Sequence, residues 1–402
     1  MSENHHARQA ARPLDGILVV ALEHAIAAPF ATRQLADLGA RVIKVERPGT
    51  GDFARAYDDR ARGLSSHFVW CNRSKESLTL DLKHPGANAI LARLLAKADV
   101  LVQNLAPGAA GRLGLSEEKL RPAHPRLIFC EISGYGDNGP YRDRKAYDLL
   151  IQAEAGLLSV TGTEEHPSKA GISIADIAAG MYAYSGILAA LVARNTTGQG
   201  SRVEISMLEA LAEWMSFPLY YAFAGQPPPA RTGAAHATII PYGPFRTGDG
   251  RTVMLGLQNE REWKVFCEIV LRQPDLAADL RFDSNSARTA HRAALTPILT
   301  GVFSGLTAGE LVRRLDAAGI ANAHVNDMPA LWAHPQLAAR ERWRKVDSQA
   351  GEVPALLPPA NASNFSPRMD AIPAIGEHTD PILAELGFST ADIARLHQEQ
   401  AV

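Results

Sequence analysis

Cysteine is scarce. The 402-residue chain has three, Cys71, Cys130 and Cys267, with no C-x-x-C and no histidine pair at zinc spacing. That argues against a disulfide framework and a structural metal site, and it fits a reducing compartment; a cytoplasmic location is expected. Long hydrophobic runs are also missing. None reaches the roughly 18 uninterrupted apolar residues of a membrane span, so no transmembrane helix and no membrane partner are expected. The polar start MSENHHARQAARPLDG has no apolar h-region, so no secretory signal is expected. Its arginines leave a weak transit-peptide reading beside that of a disordered start. An excess of one charge is absent too: 41 Lys and Arg face 43 Asp and Glu, for a net charge of −2. No nucleic-acid partner is expected from such a balance.

What remains is an ordinary globular composition, 46% apolar and 21% charged, long enough for two domains or one interrupted one. Short apolar runs alternate with helical spacing. GILVVALE (16–23), RVIKVER (41–47), SLTLDL (77–82), DVLVQNL (99–105) and RLIFCEIS (126–133) read as strands. Helical stretches separate them, among them 29–40 and 85–98. Such alternation implies βαβ units and an α/β fold with a parallel, doubly wound sheet. A long helix is expected over about 176–194, a strand over 201–207, and helical sequence to 224. The Pro-rich stretch 225–245 reads as a linker. A smaller α+β domain is expected over 246–330, and residues 331–402 as a return to the large domain that begins at residue 14.

In an open α/β sheet, ligands bind outside the carboxyl ends of the strands. The loops there are EHAIAAP, ERPGTGD, QNLAPGAAGR and SGYGDNGP. They bring His24, Arg47, Asn104, Arg112 and Tyr135 to one crevice, with Arg55 and Lys75 close in sequence. Arginine binds phosphate oxygens bidentately, so the set suits a phosphate-bearing ligand. The first βα turn, EHAIAAPF, lacks G-x-G-x-x-G, which argues against NAD. Glu46 at the end of the second strand is placed for a ribose but lacks that glycine turn. There is no Walker A motif and no G-x-S-x-G, and Cys71 and Cys130 read as core.

Asp176 opens the long apolar helix in GISIADIAAGMYAYSG. An acid before an apolar helix is a favoured N-cap. A helix apolar all round is buried, and buried aspartate needs a partner or a role. A helix N-terminus favours the ionised form, and a carboxylate held anionic in a dry site is a nucleophile toward an acyl group. Both readings stand together on the residues alone.

Six motifs in order, LDGILVVALEHAIAAPFATRQLADLGARVIKVERPGTGD, NRSKESLTLDLKHP, DVLVQNLAPGAAGRLGL, GYGDNGPY, AYDLLIQAEAGL and ADIAAGMYAYSGILAAL with TGQGSRVEISMLEA, run from about residue 14 to 210. They resemble the class III CoA-transferases, the CaiB/BaiF or formyl-CoA transferase family. The resemblance implies a Rossmann-like large domain built from both chain ends, a smaller domain between, and an interlocked, ring-shaped homodimer. It implies acyl-CoA and carboxylic-acid substrates, with coenzyme A as substrate rather than a tightly bound cofactor. It puts Asp176 at the catalytic aspartate, passing through a mixed anhydride and an aspartyl-CoA thioester. It maps CoA contacts onto His24, Ala25, Ala27, Arg47, Lys75, Asn104, Leu105, Arg112 and Tyr135. Ile26 stands where the formyl-CoA enzymes have glutamine near the acyl group. Residues 256–259, with Gly256 and Gln258, replace a glycine-rich covering loop and are a candidate lid. Short dicarboxylates are the expected acids, with Arg55, Tyr57, Tyr135 and Gln258 available for a distal carboxylate. Racemases of the same family use a histidine where Tyr147 stands; tyrosine, with an ordinary pKa near 10, is a poor shuttle, which favours transfer. A racemase, a nucleotide-binding oxidoreductase and a non-catalytic CoA-binding module remain as alternatives.

Overall fold

The computed structural model describes residues 11–402. The polar start, read above as disordered or as a weak transit peptide, falls mostly outside the described residues. The chain divides into two compact units. The first comprises residues up to 155, then 170–215 and 337–402; the second comprises 156–169 and 216–336.

Among the described residues of the first unit, six strands form one sheet in the order β3-β2-β1-β4-β5-β6. They are β1 (Leu18–Leu22), β2 (Arg41–Glu46), β3 (Lys75–Thr79), β4 (Val100–Gln103), β5 (Ile128–Ser133) and β6 (Arg202–Ser206). Every pairing is parallel, with Val20 level with Ile43 and Leu101. Successive strand side chains point to opposite faces, and here both faces are apolar. Val19, Ala21, Val42, Val100 and Val102 join a core under α1 (Ala27–Asp37) and a long helix. Val20, Leu22, Ile43, Leu101 and Phe129 join a second core on the other face. The C-terminal segment completes that second core through Ile382, Leu383, Leu396 and Ala401. It is stitched to the sheet by the Thr79 N–H donating to Thr379 Oγ1 at 3.0 Å.

Two helices matter for the site: α2 (Asp148–Glu154) and α3 (Ile174–Thr197). α3 is apolar and long enough by composition to cross a membrane. It is instead the core helix of this unit: Ala175, Ala178, Ala179, Ala183 and Ile187 are buried against the sheet side, and Arg194 pairs with Asp99 at 2.9 Å. Gly180 permits its close approach to α1. A Cβ there would lie 2.7 Å from the Ala27 carbonyl oxygen.

The second unit has an antiparallel sheet of β7 (Tyr242–Arg246), β8 (Thr252–Gly256) and β9 (Ala321–His324). Trp263, Phe266, Phe282 and Phe303 fill its core. The stretch 225–245, expected as a linker, belongs to this unit. Ile240 is buried in its core and strand β7 starts at Tyr242. The boundaries therefore lie at 215/216 and 336/337 rather than 224/225 and 330/331, and the excursion 156–169 joins the second unit. Proline-rich composition marked irregular backbone here, not separation from a core.

Candidate active site

The strand order reverses between β1 and β4, which both run beside one another, and a crevice opens at their carboxyl ends. The loop after β1 is held there by side chains. Asn104, following β4, accepts the His24 N–H at 3.0 Å and donates to the His24 carbonyl at 2.9 Å. Asp52 Oδ1 accepts the Ala25 N–H at 3.1 Å. Ala25 adopts φ 61°, a left-handed conformation that non-glycine residues seldom take. After this turn the chain enters α1, with Ala27 as its first residue and Ile26 as N-cap.

Asp176 lies at the third position of α3, not at its N-cap, which is Ser173. The expected cap is a different acid. Asp148, the first residue of α2, accepts the Ala175 N–H at 2.8 Å and the Asp176 N–H at 3.4 Å on one oxygen. Its other oxygen accepts from Gln152 at 2.7 Å. Asp148 thus satisfies the orphan donors of α3, leaving the Asp176 carboxylate free of capping. The backbone N–H of Ala27 donates to that carboxylate. Burial, reinforced by the charge of Asp148, outweighs that bond and pushes Asp176 up to about 7. The helix terminus is expected to favour the ionised form; here desolvation is the larger influence and acts against it. Tyr57 lies close by, its pKa raised by burial first and then by Asp52, Asp176 and Tyr147. Both tyrosines are exposed, Tyr57 at 48% and Tyr147 at 65%.

Beneath the β1 loop is a dry cluster of four charges. Glu23 accepts from Lys75 and from Thr32, both at 2.6 Å, and lies 3.4 Å from Lys44. Lys44 in turn bonds Asp52 at 2.8 Å. Burial pushes Lys75 down to about 8, against the pull of Glu23. This corrects the reading of Lys75 as a ligand contact: its ammonium has no exposed surface. The next lysine in the chain, Lys83, is exposed. Arg55 is corrected likewise. Its guanidinium grips Glu46 through two bonds of 2.8 and 2.7 Å and also donates to the Pro373 carbonyl, so it is not open to a distal carboxylate. Glu46 is correspondingly unavailable to a ribose. Burial opposes its ionisation, but Arg55 and Lys44 hold it at about 2. Ile26 is 3% exposed and packs with Phe30 and Cys71 rather than facing open space.

The other expected contacts stay near the crevice. Arg47 and Arg112 are exposed. Leu105 is partly buried, its N–H fixed by Gln103 at 2.8 Å. His24 packs on Phe53 with ring centroids 4.9 Å apart, and burial keeps its pKa below the ordinary value. Beside Arg47, a cavity of about 540 Å³ is lined by Pro48, Gly49, Thr79, Gly376, Thr379 and His397. Tyr135, edge-on to Tyr141, lines another of about 550 Å³ with Arg144 and Lys145. In the second unit, residues 256–259, the candidate lid, connect a strand to the helix that follows. Gly256 ends β8 against the Tyr242 ring, and Asn259 caps the next helix by accepting the Glu262 N–H at 2.9 Å. Among the described residues, no group of three His, Cys, Asp or Glu side chains is arranged to hold a metal ion.

Three comparisons bear on this site. Residues 14–379 match the model of CoA-transferase family III. The chain is 32% identical to the Homo sapiens succinyl-CoA:glutarate CoA-transferase over 93% of its own length and 86% of that protein. It is 34% identical to the succinate–glutarate CoA-transferase of Agrobacterium fabrum (strain C58), over 93% and 96% of the two chains. A CAIB/BAIF family protein from Brucella suis, known from a crystal structure, superimposes with a TM-score of 0.82 at 34% identity, covering 94% of this chain and 100% of that one. With a parallel sheet, a crevice at its switch point and a match over nearly its whole length, this chain is a CoA-transferase and belongs to CoA-transferase family III.

Proposed function

We propose that this enzyme moves CoA from a succinyl-CoA-type donor to a short dicarboxylic acid, with Asp176 as the covalent carrier. The observation that carries this reading is the Asp176 carboxylate at the meeting of two helix N-termini, bonded by the Ala27 N–H and relieved of capping by Asp148. The Asp176 oxygen attacks the thioester carbonyl, and the C–S bond breaks to give a mixed anhydride and CoA thiolate. The thiolate then attacks the aspartyl carbonyl, releasing the donor acid and leaving an aspartyl-CoA thioester. An acceptor carboxylate attacks that thioester and expels the thiolate, forming a second anhydride. The thiolate finally takes the acceptor's acyl group and regenerates Asp176. Each attack splits one difficult exchange into two easier ones. Backbone N–H groups at a helix terminus stabilise charge that develops on oxygen.

Arg47 and Arg112 are exposed at the crevice and suit the phosphates of CoA. The dicarboxylate preference draws support from the two relatives named for succinate and glutarate. Arg55 does not contribute to it. Initial rates with succinyl-CoA and a panel of mono- and diacids test it; a preference for monoacids would overturn it. The racemase alternative has no basic residue at Tyr147 to carry an α-proton, and absence of α-deuterium washout separates transfer from it.

The functional unit in this reading is an interlocked homodimer. In the second unit, Phe217, Leu219, Tyr220 and Phe223 lie exposed on one short stretch, Tyr220 at 81%. Apolar exposure of that kind marks an association surface. Light scattering should return twice the chain mass of 43.2 kDa; a monomer that transfers CoA would contradict it.

A further inference from the structure

Asp52 is a buried acid, 4% exposed, and the reaction steps do not use it. Its bonds explain its place. Oδ1 accepts the N–H of Ala25 at 3.1 Å and of Ala54 at 2.9 Å, while Oδ2 accepts from Lys44 at 2.8 Å. Lys44 is itself fully buried and paired with Glu23. The carboxylate is thus anchored before it reaches Ala25. Left-handed backbone at an alanine crowds Cβ against a carbonyl and persists only where the surroundings over-determine it. Here Asn104 fixes the preceding residue, His24, through both its N–H and its carbonyl, and Asp52 fixes the Ala25 N–H. Two residues later Ala27 begins α1, and Pro29 at the third position has no N–H. The first-turn donors of α1 are therefore Ala27 and Ala28, and the aim of Ala27 is set by the turn before it.

We infer that Asp52 is a positioning residue: it locks Ala25 in the left-handed turn that directs the Ala27 N–H onto the Asp176 carboxylate. The inference rests on the reading of Asp176 as the attacking group. It differs from a purely structural role because relaxing the turn changes the ionisation and acylation of Asp176, not only the stability of the fold.

The test uses the full-length enzyme with succinyl-CoA, trapping acyl-Asp176 by hydroxylamine and reading its formation rate against pH, well below the unfolding temperature. Asp52→Ala is expected to slow acylation by about ten- to a hundred-fold, the size of one lost bond to a charged group. Its ascending pH limb moves to higher pH, because the ionised Asp176 loses a donor. Adding Ala25→Gly to Asp52→Ala restores several-fold of the rate and returns the limb, since glycine takes the left-handed turn unaided. If Asp52→Ala does not fold, Ala25→Val serves: it leaves the charge cluster intact, disfavours the same turn, and gives the same slowing and shift. Acylation and pH limb unchanged in the folded variants overturn the inference alone. So does a loss of rate with an unshifted limb that glycine does not rescue. No adduct at Asp176 in the wild type overturns the nucleophile reading and the inference together.

Discussion

Asp148, at the start of α2, reaches across to the first turn of α3, where Asp176 sits. Asp148 Oδ1 lies 3.4 Å from the Asp176 backbone nitrogen and 2.8 Å from that of Ala175. The same carboxylate that satisfies the helix terminus places a negative charge beside the reactive one. Burial and that charge together raise Asp176 to about 7.

The pH dependence of kcat/KM follows. Protonated Asp176 cannot attack, so activity rises with pH through about 7. Asp148→Asn keeps an acceptor oxygen for Ala175 but removes the like charge, so the ascending limb moves to lower pH. A limb that stays in place in that variant contradicts the electrostatic assignment.

Linkage gives a stability counterpart. A carboxyl whose pKa is higher in the folded than in the unfolded state binds more protons when folded between the two values. Stability from this group therefore declines as pH rises from about 4 to about 7. Asp176→Asn removes the penalty. It should match the wild type near pH 4 and exceed it at pH 8 by on the order of 1–3 kcal/mol, the shift being discounted for partial solvent access. Urea unfolding at both pH values checks this; an Asn variant less stable at pH 8 contradicts it.

The buried charges separate from the ligand-facing ones by which parameter each moves. Lys75→Met removes the nearer of the two lysines that offset the buried charge of Glu23, leaving Lys44 at 3.4 Å and Thr32. It should cost about 3–5 kcal/mol of stability. Arg47→Ala and Arg112→Ala should instead raise KM for acyl-CoA roughly tenfold, more at low salt, with little change in unfolding midpoint. Lys83→Ala should behave like the arginines. Equal effects of Lys75 and Lys83 on KM would contradict the division.

Gly180→Ala tests the approach of the two helices. The new methyl group meets the Ala27 carbonyl oxygen at 2.7 Å. Backbone must shift, and with it the Ala27 donor to Asp176. Activity should fall by at least tenfold with a loss of about 1–3 kcal/mol in stability; an unperturbed enzyme would show that the approach is not needed.

The sheet was legible because buried parallel strands are continuous apolar runs punctuated by helical spacing. Asp176 was legible because an acid interrupts an otherwise apolar, small-residue helix. Asp148 was not, although AYDLLIQ shows an acid opening a short helix: its partner, Ala175, is 27 residues away, and a cap normally comes from the adjacent residue. Lys75 and Arg55 misled for a related reason. A basic residue near a crevice loop reads as exposed until its buried partner is placed by the fold: Glu23 just after β1 for Lys75, and Glu46 at the end of β2 for Arg55. Residues 225–245 misled because proline content reports irregular backbone, whereas only the fold shows Ile240 in a core.

The most direct test of the account is intact-protein and peptide mass spectrometry after incubation with succinyl-CoA and trapping with hydroxylamine. The account predicts a hydroxamate at Asp176, abolished by Asp176→Ala along with CoA transfer. Turnover with unmodified Asp176, or transfer that survives in the Asp176→Ala enzyme, would contradict it.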